Sequence, residues 1–259
     1  MYAGLSMNKT KISLVIVLIL CWEVVAYIGI FPEIAFPSFT EVFIKLYREI
    51  IKLDIIVMTF KSIIIIIFSL TASLIIALLV SYFATINKRI SDIVDTFISI
   101  LHPLPSIALL PLVILWFGVG RGSLIIILLH STIWPLIISI RTGFNCIPKK
   151  YYLIASNYEL SSFEKVYRIM IPSSIPYILN GIEIGWARSF RALISAEMIF
   201  GAMGSGIGWY LFERRAFMDT KGLFAGLLIV IIVGISVENI VFKKLEKLTY
   251  KRWGNGLKD

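Results

Sequence analysis

Long apolar stretches separated by short polar joins set the pattern of this chain. Six are long enough to cross a bilayer, roughly 12–30, 62–86, 96–117, 122–141, 175–200 and 222–242, since a spanning helix needs about 20 mostly apolar residues. Two carry long runs without formal charge, 26 residues from Ser62 to Asn87 and 25 from Thr96 to Gly120. The expected fold class is all-α: a polytopic membrane helical bundle of six transmembrane helices, with both termini on the same side. Between the first two spans, Pro32 and Pro37 open a segment that predicts a short amphipathic helix at Thr40–Lys52, capped by Ser38 or Thr40. The expected organisation is an N-terminal segment, residues 1–55, with the tail, first span and amphipathic helix, a transmembrane domain 56–245, and a tail 246–259.

Composition places the chain in lipid. Its 58% apolar and 16% charged residues, with mean hydropathy +0.90, depart from the roughly 45–50% and 25% of an ordinary soluble domain. Disordered chains, disulfide scaffolds and soluble enzymes are excluded. The net charge of +9 then becomes an orientation signal. Fifteen of the 25 Lys and Arg residues lie in the N-terminus, the second and fourth loops and the C-terminal tail, eight lie in the alternate loops, and Arg188 and Arg191 fall inside span five. By the positive-inside rule both termini are expected in the cytoplasm, in a multi-pass cell-membrane protein. A nucleic-acid partner has no support. Lys9 and Lys11 before an apolar run imitate a signal peptide, but Glu23 interrupts the run and no small-x-small site follows, so a retained anchor is expected, starting from Met1 or Met7. Cys21 in a span and Cys146 at a span edge do not suggest a disulfide.

Signatures of bond-making chemistry do not occur. There is no G-x-x-x-x-G-K-[ST], so no P-loop for ATP, and no H-E-x-x-H. Gly118-Val119-Gly120-Arg121-Gly122 reads as an external turn, and Gly204-Ser205-Gly206-Ile207-Gly208 follows no strand. His102 and His130 lie in different spans and read as hydrogen-bonded packing residues. No catalytic residues and no metal ligands are expected.

Three features carry information instead. Span three holds Pro103, Pro105 and Pro111. Such breaks in the backbone ladder are tolerated where a helix is packed in protein or lines a water-filled path. Span five carries small residues at Gly181, Gly185, Ser189, Ala192 and Ala196, a stripe that lets another helix approach closely. Beside it lie Arg188, Arg191 and Glu197. The arginines either attract an anionic substrate or pair with Glu183, Glu197, Glu23 or Glu238 to hold the bundle together. The fourth loop, Asn145–Ser174, has helix-like runs at Tyr151–Tyr158 and Ser162–Ile169, with Ser161 or Ser162 as cap, and ends in Ile169-Met170-Ile171-Pro172. It is either a linker or an amphipathic pair that docks in a partner's groove.

Together these residues resemble the inner-membrane permease subunits of ATP-binding-cassette importers, in the branch handling nitrate, sulfonates and taurine. The fourth loop is similar to that family's E-A-A, three residues, G, nine residues, I-x-L-P pattern, with Ala155 on the second alanine and Ile169-x-Ile171-Pro172 on the ending. Pro105–Leu112 with Trp116-Phe117-Gly118, Arg191–Met198, Phe36-Pro37-Ser38 and Arg252-Trp253 also resemble the branch. Leu153, Ile154 and Glu159 depart from it. Where the pattern has glycine, Glu159 loses easy access to positive φ, so the turn is expected to be made differently.

The resemblance implies a homodimeric pore, two copies of a separate ATP-binding subunit, and an extracytoplasmic solute-binding protein, all in membrane lipid. It implies no cofactor on this chain, ATP being bound by the partner. It assigns coupling to Ala155, Glu159, Ile169, Ile171 and Pro172, and candidate pathway lining to Pro103, Pro105, Pro111, Arg188, Arg191 and Glu197. Gly181, Gly185 and Ser189 take helix packing. The implied cargo is a small solute, an anion such as nitrate, sulfonate or taurine. The rival reading is a self-sufficient secondary transporter or channel, a class that often shows matched internal repeats; none is visible here.

Overall fold

The structure, a computed structural model, describes residues 9–200 and 206–253. The described residues form helices α1 Lys9–Ile28, α2 Phe39–Ile51, α3 Asp54–Ile86 and α4 Lys88–Leu101, then a 3-10 turn Ser106–Leu109 leading into α5 Leu110–Phe117. They continue with α6 Arg121–Asn145, α7 Lys149–Asn157, α8 Ser162–Lys165, a π turn Val166–Met170 and α9 Ile171–Phe200. Last come α10 Ile207–Ala216, α11 Thr220–Ser236, a second π turn Val237–Phe242 and α12 Lys243–Trp253.

By length and composition, α3, α6 and the continuous run Thr220–Thr249 qualify as membrane spans. The pair α4 and α5 qualifies as one broken span, bent by 87°. Exposed Leu14, Leu18, Phe60, Ile67, Phe68, Leu115 and Trp116 fit lipid as the solvent, since a water-soluble surface rarely tolerates so much contiguous apolar area.

Several boundaries differ from the sequence expectation. α3 starts at Asp54 and takes in Lys61, because α2 ends in a two-residue join at Lys52 and Leu53 with Leu53 at φ 63°. At 33 residues and about 1.5 Å per residue, α3 exceeds the roughly 30 Å hydrocarbon core, so its polar first turns need not enter it. The amphipathic helix is capped by Ser38, not Thr40: Ser38 and Glu41 form a capping box, while Thr40 donates its hydroxyl to Glu23 at 2.8 Å.

The third span does not simply kink. Pro103 and Pro105 lack amide donors and resist helical continuation, so four residues, 102–105, separate α4 from the 3-10 turn. Pro111 sits in the first turn of α5, where a missing N–H costs nothing.

The fourth loop is also shorter than expected. Helix resumes at Ser162 and runs through the π turn into α9, so Ile169, Ile171 and Pro172 belong to a helical entry to α9 and do not end a loop. Ile171 N–H reaches back to the Val166 carbonyl. That wider turn lies just before Pro172, whose ring would otherwise meet the carbonyl four residues earlier.

The described residues divide into two compact units. The first holds α1, α2, α10, α11 and the adjoining ends of α3 and α9. Val42, Leu46 and Ala225 form one buried cluster there, and Ile55, Ile207, Tyr210 and Leu211 form another. Trp22 packs on Phe36, Phe39 and Phe224 and donates its indole N–H to the Pro37 carbonyl at 3.0 Å. The second unit holds α4 to α8, α12 and the remainder of α3 and α9. Its core includes Ala77, Val94, Leu136, Ile140, Phe144, Met170 and Ile178.

Candidate functional site

The fourth loop builds a compact helix pair. Pro148 supplies extended backbone before α7, with its fixed φ placed where a helix start needs it. α7 ends in a Schellman closure: Leu160 N–H bonds the Ala155 carbonyl and Glu159 N–H bonds the Ser156 carbonyl, both at 3.0 Å. Glu159 itself takes the left-handed conformation, φ 52°. The expectation that losing glycine forces a different turn is therefore corrected, because a glutamate adopts the glycine-type geometry here.

Ser161 then caps α8 in a capping box with Glu164. The Glu164 carboxyl is held below its ordinary pKa, first by the Ser161 backbone N–H and then by the Ser161 hydroxyl. Glu164 also faces Arg168 at 3.5 Å.

The loop has a packed side and an open side. Ala155 is the one buried residue of α7. Tyr152, Val166, Ile169 and Ile171 lean on the core around Phe144, Ile147, Met170 and Ile178, and Pro172 is half-buried. Leu153, Tyr158 and Phe163 are 66%, 76% and 75% exposed.

The broken span and α9 hold the other candidates. Pro103, Pro105 and Pro111 are exposed. Arg188 is half-buried and Arg191 exposed, its Nε donating to the Ala187 carbonyl at 3.1 Å. Two carboxylates considered as their partners are engaged elsewhere: Glu23 accepts from Thr40, and Glu197 from Ser62 and Gly208.

The small-residue stripe sits at close helix contacts. Gly181, Gly185 and Ser189 are buried. A β-carbon on Gly181 would lie 2.9 Å from that of Ser139, and one on Gly185 3.0 Å from Leu70. α6 reciprocates with Gly143, where a β-carbon would lie 2.9 Å from those of Ser174 and Tyr177.

Glu197 is 2% exposed. Its carboxylate accepts the Ser62 hydroxyl at 3.1 Å and the Gly208 N–H at 2.8 Å, and Ser62 Oγ in turn accepts the Ile207 N–H at 3.0 Å. The carboxyl group is thereby set against the amide-rich N-terminus of α10. The site requires glycine: a β-carbon on Gly208 would lie 2.6 Å from the Ile194 carbonyl, and one on Gly206 would overlap the Glu197 carboxylate. Gly204 and Ser205 of the same glycine-rich segment lie outside the described residues.

Comparison with known proteins places this geometry. Residues 77–249 match the family model of the binding-protein-dependent transport system inner membrane component. The chain belongs to that family. Among its relatives is the SsuC permease assigned to aliphatic sulfonates transport in Bacillus subtilis, 28% identical over 178 residues, 69% of this chain and 63% of that protein. The nitrate import permease NrtB of Synechocystis is 27% identical over 155 residues, 60% and 56%. The taurine transport permease TauC of Escherichia coli is 26% identical over 153 residues, 59% and 55%. The match to each thus spans less than two thirds of that relative's length.

The chain is an all-α, multi-pass membrane protein of this family, and the matched region contains the broken span, the fourth-loop helix pair and nearly all of the small-residue interfaces. Sequence reading misses three things within and beside it. α3 carries its own buried small stripe, Ser69, Ser73, Ala77, Ser81 and Ala84, visible at helical spacing once looked for. Ser73 shares a 2.5 Å hydrogen bond with Thr132. Arg141, a loop cation by sequence, instead clamps α6 to α4 through Asp95 and Ser91. In the first unit Lys45, Glu49, Arg214 and Asp219 form an ion network on the face of α2 that also buries Val42 and Leu46. Its partners are some 170 residues apart in sequence, beyond any local spacing signal.

Proposed function

We propose that this chain is the membrane permease subunit of an ATP-driven importer for a small anionic solute. One observation carries the reading: α7 is closed by the Schellman turn onto capped α8, which runs into α9, with an apolar open face and a packed back. A helix pair so built accepts a groove on a partner and transmits its movement to the spans.

The partner is a P-loop ATPase, since the chain has no nucleotide site of its own. Two copies of each form the assembly, and a solute-binding protein delivers cargo to the opposite face. Six spans, with both termini and the docking loop in the cytoplasm, fit the distribution of basic residues. The segment at Pro103, Pro105 and Pro111 and the arginines Arg188 and Arg191 line the path. Nitrate, aliphatic sulfonates and taurine, named for the relatives, all offer an anionic group that an arginine can bind bidentately.

Co-expression with a candidate P-loop ATPase subunit tests this reading. The tagged chain is expected to retain the ATPase through purification, and replacing exposed Leu153 and Phe163 with Asp is expected to release it. Retention by the doubly substituted chain would remove the loop from the interface.

A further inference from the structure

We propose that α12 carries a binding surface for anionic phospholipid headgroups, formed by Lys244 and Lys247. α12 belongs to the same continuous helix as the span, with Val241 and Phe242 the last apolar residues before Lys243. At about 100° per residue, positions 244 and 247 fall within an arc of about 60°. The opposite side faces α9: Leu245, Glu246 and Thr249 line a cleft of about 120 Å³ with Pro176, Leu179 and Asn180. Lys244 and Lys247 lie on the side away from that cleft and are exposed.

Depth selects the occupant. With a rise of about 1.5 Å per residue, Lys244 and Lys247 lie roughly 3 and 8 Å beyond Phe242. That is the thickness of one headgroup layer, about 5–8 Å. Exposed Leu248 flanks the lysine pair, so cations at headgroup level border an apolar residue, the pattern of an interfacial helix face. Clustered cations at the end of a span attract anionic lipid. The second π turn, Val237–Phe242, fixes the register that presents this face, because one wide turn rotates all that follows it.

The test is native mass spectrometry of the full-length chain in detergent, titrated with phosphatidylglycerol or with phosphatidylcholine. The wild-type chain is expected to retain phosphatidylglycerol at least tenfold more strongly, with inorganic phosphate failing to displace it. Lys244→Gln and Lys247→Gln combined are expected to lower that retention about tenfold, since each surface lysine contributes several-fold, and to leave phosphatidylcholine unchanged. The double arginine variant, which keeps charge, is expected to bind as wild type and separates charge loss from misfolding. Equal retention of the two lipids, or a glutamine variant that binds phosphatidylglycerol as wild type, overturns the proposal. Loss of a co-purified ATPase subunit with lipid retention intact overturns it too, and makes the lysine pair a protein contact.

Discussion

Leu160 donates its backbone N–H to the Ala155 carbonyl at 3.0 Å, across a glutamate held at φ 52°. That closure sets the angle at which α7 meets α8. A non-glycine residue in this conformation costs roughly 1–2 kcal/mol, and Glu159 bears the cost. Glu159→Gly is expected to raise stability by up to about 1 kcal/mol and Glu159→Val to lower it by about 1–2 kcal/mol. Thermal unfolding in detergent checks both, and a less stable glycine variant would contradict the turn.

Ala155 packs with none of its surface exposed. Ala155→Glu forces a carboxylate into that contact, where an unpaired buried charge shifts the helix or unfolds it locally. ATP hydrolysis by the partner is expected to persist while uptake falls at least tenfold, measured on one reconstituted preparation. Parallel loss of both would point to lost assembly; unchanged uptake would take Ala155 out of the coupling route.

Much of this is legible in the sequence because lipid leaves a plain signal. The apolar runs around α3, α6 and α11 and the prolines of the broken span are local features. The helix pair of the fourth loop can be read from its two helix-like runs, and Ser161 as a cap from its side-chain chemistry. What cannot be read depends on partners far along the chain. Glu197 reads as one more charge beside Arg191, yet its donors are Ser62, 135 residues away, and the amide of Gly208. The turn at Glu159 misleads for the opposite reason: propensity favours glycine there, and the two closing hydrogen bonds with the capped helix beyond outweigh it.

The Glu197 node gives a graded expectation. Glu197→Ala leaves the Ser62 hydroxyl and Gly208 N–H without their acceptor, a loss of about 1–3 kcal/mol. Glu197→Gln keeps one acceptor oxygen and is expected to lose less. Melting temperatures of the purified chain should rank wild type, Gln, Ala. An alanine variant as stable as wild type would mean that the node does not hold α10.

Asp219 supplies the pH dependence. Burial pushes its carboxyl upward, but the Lys45 hydrogen bond, the Gly222 N–H and the charges of Lys45 and Arg214 outweigh burial and hold it below the ordinary 3.8. A depressed carboxylate stabilises the folded state fully above its unfolded value, and this contribution is lost as pH falls through the folded one. Stability is therefore expected to be flat in this group above roughly pH 5 and to fall below about pH 4. Asp219→Asn should lower the plateau and flatten the acid limb. An acid limb unchanged by that substitution would assign the loss to other carboxylates.

The central claim is that this chain moves solute only when a separate subunit hydrolyses ATP. Uptake of radiolabelled nitrate, taurine and an alkanesulfonate into proteoliposomes, with the solute-binding protein outside and ATP inside, tests it most directly. Accumulation of at least one of these anions is expected only when the ATPase subunit is present and ATP is hydrolysable. Equal accumulation by the chain alone would contradict the account and make it a self-sufficient transporter or channel.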